Sequence, residues 1–262
     1  MLDVKRDFNA MGDAAADDTS VLQNALDYIK NGGELFFPSG IYKTMACLIF
    51  YSNQSLYFEK GAALLRFDED TPQRYILANH TDPDDGGYTA CENVLIDGAT
   101  FDGNSEIEIC TTLLNTCHAK DIVIKNCTFK NGCLWHYIEI NSSKNVVIDN
   151  CVFENSYSST AENGEQIQLD FAKTGSYGPI VNKDGKLIDF KPDETVCCDI
   201  EIKNCKFYGY GYAPAIGNHT NAPHHRIKIH NNEFIGSFGS RGAISFVDLT
   251  TDIEVFDNKF SK

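Results

Sequence analysis

At 262 residues, with 42% hydrophobic and 23% charged residues, the chain can bury a substantial core, and it contains no apolar run long enough to cross a bilayer. The formal net charge of -15 argues against nucleic acid or an anionic membrane as the main partner and favours a neutral or weakly charged ligand. Ten cysteines include no paired Cys-x-x-Cys cluster, so no zinc site and no other cofactor is expected.

The first residues, Met1-Leu2-Asp3-Val4-Lys5-Arg6, hold no apolar h-region, so no signal peptide is expected; a cytoplasmic chain and one whose leader has been removed both fit. Residues 3–18 read as a strand and a loop. A helix follows, with Asp18 or Thr19 as N-cap and an apolar face of Val21, Leu22, Ala25, Leu26 and Ile29. Asn31-Gly32-Gly33 ends it, and Glu34 to Tyr42 reads as strand, turn, strand around Pro38-Ser39-Gly40. Gly12-Asp13 through Thr19, the helix, Gly32-Gly33 and Phe37-Pro38-Ser39-Gly40-Ile41-Tyr42 together resemble the opening of the pectate-lyase-like superfamily of right-handed parallel β-helices. The resemblance implies a carbohydrate-active protein and a helix that caps the open N-terminal end of the coil. Such an end needs cover, because a parallel stack leaves apolar side chains and unpaired backbone there.

Beyond residue 43 the sequence repeats itself. Asn93 to Phe101, Asp121 to Phe129, Asn145 to Phe153, Asp199 to Phe207, His225 to Phe234 and Asp252 to Phe260 are copies of one pattern, alternating aliphatics followed by an Asn or Gly turn and a Phe. Alternation makes each copy a strand, and the near-constant period makes the array a solenoid. The Asn is expected to bond backbone groups of adjacent coils at the turn, and Cys127, Cys151 and Cys205 to stack in the core as reduced, small hydrophobes. The fold class is therefore all-β: a right-handed, single-stranded parallel β-helix with an N-terminal capping α-helix. It forms one domain over 1–262, with a cap region at 1–43.

The copies at 145 and 199 lie about twice as far apart as the rest, and Lys183-Asp184-Gly185 between two apolar runs signals a hairpin. Residues 171–197 are read as an inserted hairpin or loop that overhangs the neighbouring wall as a lip. The last copy ends at Phe260 with no capping element in view, so a homo-oligomer or a further C-terminal domain is expected to cover it.

A second strand precedes each repeat, and these align as Leu113 to Cys117, Tyr137 to Asn141, Gln166 to Asp170, Ala215 to His219 and Ala243 to Val247. Outward columns then read Asn115/Glu139/Gln168/Gly217/Ser245 and Cys117/Asn141/Asp170/His219/Val247, which puts Asp170 beside His219 and Glu139 diagonal to Asp170. Glu139, Asn141, Gln166, Gln168, Asp170 and His219 form a polar wall that faces solvent. Tyr137 joins it, Trp135 stands at its entrance, and Glu165 and His136 lie at its edge. Aromatic rings stack on pyranose faces, and amides and carboxylates take sugar hydroxyls.

The catalytic candidates are Asp170 and Glu139, with Glu165 as substitute for either and His219 to orient or tune Asp170. Carboxyls about 5 Å apart imply retention of configuration, and about 6.5–9.5 Å inversion. Substrate-binding candidates are Trp135, Tyr137, Asn141, Gln166, Gln168, Asn218, His224 and Arg241. The superfamily includes pectate lyases, polygalacturonase-like hydrolases, uronan epimerases and tailspike depolymerases. Gly217-Asn218-His219 is only a loose echo of the hydrolases' Gly-His-Gly, their Asp-Asp pair is absent, and the calcium-binding acids of the lyases are missing. The reading is a glycoside hydrolase acting on a neutral or lightly charged poly- or oligosaccharide. A lyase on a uronate polymer and a non-catalytic, tailspike-like glycan-binding module are the alternatives.

Overall fold

A computed structural model of the chain describes residues 1–67, 75–104, 112–132, 135–156, 164–174, 180–247 and 249–262. Among them are three parallel sheets of nine, nine and seven strands, wound as a right-handed parallel β-helix. Each sequence copy supplies one strand to the first sheet and one to the second. In the first sheet Val94, Ile122, Val146, Ile200, Ile227 and Ile253 fall in one register column, and their side chains fill the core. In the second, Phe101, Phe129, Phe153, Phe207, Phe234 and Phe260 stack with centroids 4.6–5.1 Å apart. That spacing is the distance between hydrogen-bonded strands, so one aromatic per coil makes a continuous column.

The corner between these two strands needs a left-handed residue, which Asn tolerates better than other side chains. Asn126, Asn150, Asn204 and Asn231 occupy it with φ of 52–55°. The first three amides bond side chains of the coil before, not the backbone as expected, and the Asn231 amide meets its own neighbour His230. Asn126 Nδ2 donates to Asp97, Asn150 Nδ2 to Asn126, and Asn204 Nδ2 to Asp149. Cys127, Cys151 and Cys205 are free and buried beside this corner.

The helix spans Thr19–Tyr28 and sends Leu22, Ala25 and Leu26 into the core. Asp18 is its N-cap residue, but the carboxylate accepts the Met11 and Gly12 N–H groups at 2.7 and 2.9 Å instead of capping. Among the described residues no helix is long and apolar enough to cross a membrane.

The insert forms the expected hairpin, with Ile180 opposite Ile188. Its two described strands do not lie over the carboxylates. Ile180 and Ile188 pack on Cys47, Ile49, Tyr75 and Ala78, on the outer face of the third sheet's first two strands. Hydrogen bonds from Thr81 to Asp189 O, His118 to Lys191 O and Tyr88 to Val196 O hold its returning arm. The hairpin goes there because its apolar residues find apolar partners only at that end of the face.

Candidate functional site

The third sheet carries the site, on strands Thr112–Cys117, Ile138–Asn141, Ile167–Asp170, Ile216–Gly217 and Ile244–Ser245. Their register places Asn115, Glu139, Gln168, Gly217 and Ser245 in one column, as the alignment predicts. Cys117, Asn141 and Asp170 form the second column. Leu114, Ile138, Ile167 and Ile216 alternate with them and enter the core, which fixes the direction of the polar set.

These side chains are floor, not open wall. Glu139 keeps 3% of its surface and Asp170 1%, while His219 at the rim is exposed. Glu139 has no ion pair among the described residues. Thr112 Oγ1 lies 3.4 Å and Asn141 Nδ2 3.3 Å from its carboxyl oxygens. Burial, reinforced by the charge of Asp170, pushes it up to about 8. Asp170 is also raised by burial, but Thr220 Oγ1 and the Phe171 N–H each donate to its Oδ1 at 2.8 Å and pull the other way. Beside them, both amide atoms of Asn115 and Oδ1 of Asn141 are buried without a hydrogen-bond partner. Each such group costs about 1–3 kcal/mol, so a set of them in one place points to an occupant that supplies the missing bonds.

Asp170 and His219 are not in hydrogen-bond contact. The third-sheet ladder stops at Gly217, where an added Cβ would come within 2.0 Å of the Ser245 carbonyl oxygen. Past it the chain leaves the register. Asn218 turns into the fold, where its Oδ1 accepts the Val247 N–H, and Thr220 takes the place beside Asp170. His219 instead sits 3.0 Å from Glu165 Oε2 and within 3.4 Å of the Gln168 amide.

Glu165 is fully buried and fully engaged. Arg241 Nη1 donates to its Oε1 at 2.7 Å, His219 faces the other oxygen, and its backbone carbonyl meets His136 Nδ1 at 2.7 Å. Burial alone would raise its pKa, but the His219 bond and the charges of His136 and His219 outweigh it and hold the carboxyl at about 2. Arg241 also bonds the Asn218 carbonyl and Ser245 Oγ, so it ties three coils together. Such an arginine reads as a clamp for Glu165.

Three substrate-binding candidates lie away from the carboxylates. Tyr137 packs against Phe129 and Phe153 in the core, and its hydroxyl bonds the Glu154 carbonyl. The N–H groups of Tyr137 and Ile138 both donate to Gln166 O, so the alternation slips by one just before the strand and turns the ring inward. His224 is buried, with Nδ1 accepting the Cys197 N–H at 2.9 Å and its ring edge-on to Phe171. Burial, then the charge of His225, holds it down at about 4. Trp135 lines a narrow cleft with Gln166, Tyr210 and Tyr212, beside the start of the wall strand rather than over the carboxylates.

Thr112 and Thr220, whose hydroxyls reach the two carboxyls, were not singled out from the sequence. Thr220 follows the break at Gly217, and no periodic signal survives that break. Among the described residues no three His, Cys, Asp or Glu side chains converge as a metal site.

A family model described as rhamnogalacturonase A/epimerase, pectate lyase-like, matches residues 1–252. The plasmin and fibronectin-binding protein A of Streptococcus pneumoniae is 26% identical over 98% of this chain and 39% of its own length. The crystal structure of PfbA, a surface adhesin of S. pneumoniae, superposes with a TM-score of 0.80 and 25% identity, over 99% of this chain and 62% of that one. A Thermotoga maritima exopolygalacturonase superposes with a TM-score of 0.69 and 14% identity, over 98% of this chain and 65% of that one. That last likeness establishes the fold alone. The chain thus spans about two-fifths of the curated relative it matches.

Proposed function

The chain belongs to the rhamnogalacturonase A/epimerase, pectate lyase-like family of carbohydrate-active parallel β-helices, and from that premise we propose that it hydrolyses a glycosidic bond of a neutral or lightly charged poly- or oligosaccharide. One observation carries the reading: two buried carboxyls on adjacent strands, of which Asp170 alone is donated close hydrogen bonds that oppose the rise burial gives both. Glu139, without a counter-charge and raised to about 8, holds its proton at neutral pH and serves as general acid. Asp170, with hydrogen bonds donated to it, serves as base.

The chemistry balances on these two groups. Glu139 gives its proton to the leaving glycosidic oxygen as that bond to the anomeric carbon breaks. Asp170 takes a proton from a water whose oxygen bonds to the same carbon. Residues diagonal across neighbouring strands lie about 7–8 Å apart, which leaves room for that water and implies inversion of configuration. Asn115 and Asn141 offer unsatisfied amide groups to sugar hydroxyls. Glu165 and Arg241 act as positioning residues that hold His219 at the rim. Arg241 is engaged with Glu165 rather than presented to a uronate carboxylate, which weighs against the lyase alternative.

The similarity to a plasmin and fibronectin-binding protein over nearly the whole chain favours a second reading, a binding module without turnover. One experiment separates the two. A library of neutral oligosaccharides is incubated with the chain and the products are read by mass spectrometry. Hydrolysis predicts product release that falls about 100-fold or more in Asp170→Asn and in Glu139→Gln, with the circular-dichroism melt retained. Unchanged turnover in either variant refutes the assignment, and binding without products selects the second reading.

A further inference from the structure

The arm that brings the insert back to the coil is held in a way that the chemistry above does not use. It crosses one corner of the fold, where three successive coils grip it. Thr81, His118 and Ser142 stand three residues past Ala78, Asn115 and Glu139, which share one register column. Each reaches a backbone carbonyl of the arm. Thr81 Oγ1 donates to Asp189 O, His118 Nε2 lies 2.7 Å from Lys191 O, and Ser142 Oγ donates to Thr195 O. Of these three side chains, only the imidazole can change its charge near neutral pH.

His118 is fully buried and left-handed, with φ of 52°, a conformation that histidine takes more readily than most side chains. Its other nitrogen, Nδ1, lies 2.8 Å from Gly87 O. A carbonyl oxygen only accepts, so both ring nitrogens must carry a proton to make these two bonds. A neutral ring has one N–H and one lone pair, and would set that lone pair against a carbonyl oxygen. Asp193 Oδ1 stands 4.0 Å from Nδ1 and supports the charge. Burial would raise the Asp193 carboxyl, but bonds from Gly87 and Thr195 and the charge of His118 outweigh it and hold it below its ordinary value. The other charged and titratable groups nearby are turned elsewhere. Lys191 offers the ring its carbonyl while its side chain runs beside Gly86, and the Glu194 side chain is exposed. Asp189 Oδ1 takes the Phe190 N–H, and the Tyr88 hydroxyl meets Val196 O and Cys198 Sγ. On the strand that follows His118, Lys120 pairs with Glu92.

We infer that His118 is a pH-sensitive latch: as an imidazolium it fastens the insert's returning arm to the 86–88 loop, and when pH rises and the ring loses a proton it lets go of one of them. The release is transmitted to the floor of the site. Glu194 N–H donates to Ala172 O at 2.9 Å, and Ala172 N–H donates to Ser142 Oγ at 2.7 Å, two residues beyond Asp170. A consequence for turnover therefore rests on the hydrolase reading, whereas the latch itself is read without turnover.

The full chain, labelled with nitrogen-15, is titrated from about pH 5 to about pH 9. Long-range proton–nitrogen correlations report which ring nitrogens carry protons, and His118→Asn assigns the His118 signals. Asparagine tolerates the left-handed backbone but supplies no imidazolium. The same titration gives hydrogen-exchange protection at the Glu194 and Gly87 amides, which bond Ala172 O and Asp193 Oδ2. The expected result is two protonated ring nitrogens wherever protection is full. Protection, corrected for the intrinsic exchange rate, then falls about tenfold as the ring deprotonates, the effect of losing one hydrogen bond from a charged donor. His118→Asn removes that step. Asp193→Asn moves it to lower pH, and so tests the latch even where the first variant does not fold. The proposal is overturned if one ring nitrogen lacks a proton while protection is full, if protection does not follow the titration of the ring, or if either variant leaves the step where the parent has it.

Discussion

Ile49 and Glu139 occupy the same outward column of the third sheet, the one at its N-terminal end and the other at its middle: Ile49, Ala78, Asn115, Glu139, Gln168, Gly217 and Ser245 follow one another in register. Both are buried, with opposite consequences. At the N-terminal end Ile49 and Ala78 meet Ile180 and Ile188 of the hairpin, and burial stabilises the fold as it does in any core. At the middle of the sheet burial falls on a carboxyl without a counter-charge among the described residues, on Asn115, whose amide atoms are unbonded, and on Asp170. Nothing in the packing requires polar groups there, since the same column is filled with hydrophobes two coils away. A fold that buries them at a cost to its stability retains them for another purpose. Glu165 marks the contrast: it is as buried as Glu139, yet Arg241 faces one of its carboxyl oxygens and His219 the other.

The comparison is most exposed to failure at Glu165. If its ion pairs are structural, Glu165→Gln removes the buried carboxylate that Arg241 and His219 face and destabilises the fold by about 3–5 kcal/mol, read as a drop in the urea midpoint. The linked acid effect has a defined sign. The folded pKa of about 2 lies below the ordinary glutamate value of 4.5, so the stabilisation is present above 4.5 and lost as pH falls towards 2. The variant should therefore lose that part of the acid sensitivity; an unchanged midpoint at neutral pH would place Glu165 among the working carboxyls instead.

A smaller effect is expected at the apolar end. Ile180→Ala should cost about 2 kcal/mol, the low end for such truncations because the hairpin has only two residues per strand. Hydrogen exchange should rise at the Leu48–Phe50 amides, while turnover at the wall stays at the parent rate. A matching fall in turnover would mean that the hairpin serves the carboxylates after all.

The smallest effect per pH unit concerns Glu139. Its folded pKa of about 8 lies above 4.5, so unfolding releases a proton between those values; stability is greatest below 4.5 and is lost as pH rises through about 8. The slope approaches about 1 kcal/mol per pH unit in melts between pH 5 and 8, and Glu139→Gln should flatten it. Equal slopes in parent and variant would show that Glu139 is ionised and is no general acid.

Much of this was legible in the residues. Coils with a common spacing impose common columns, so the Phe stack, the Asn corners and the alignment of Asn115, Glu139 and Gln168 follow from counting. The Lys183-Asp184-Gly185 turn was readable because hairpin chemistry is local. Where a local rule broke, the reading broke with it. One bulge before Ile138 sent Tyr137 into the core, and one close approach at Gly217 moved His219 from Asp170 to Glu165. The hairpin's seat was not legible either, because the loop only says that it departs and not which coil it returns to.

The periodic part of this protein, from strand direction to the columns of the third sheet, was determined by the sequence alone, since a side-chain alternation of two and a turn residue at each corner are properties of neighbours along the chain. Which of its buried carboxyls holds a proton was decided only by the tertiary structure. Protonation depends on how much water is removed and on which groups come near: His219, 54 positions away, bonds Glu165 and with His136 holds its carboxyl down, while Glu139 has the charge of Asp170 beside it.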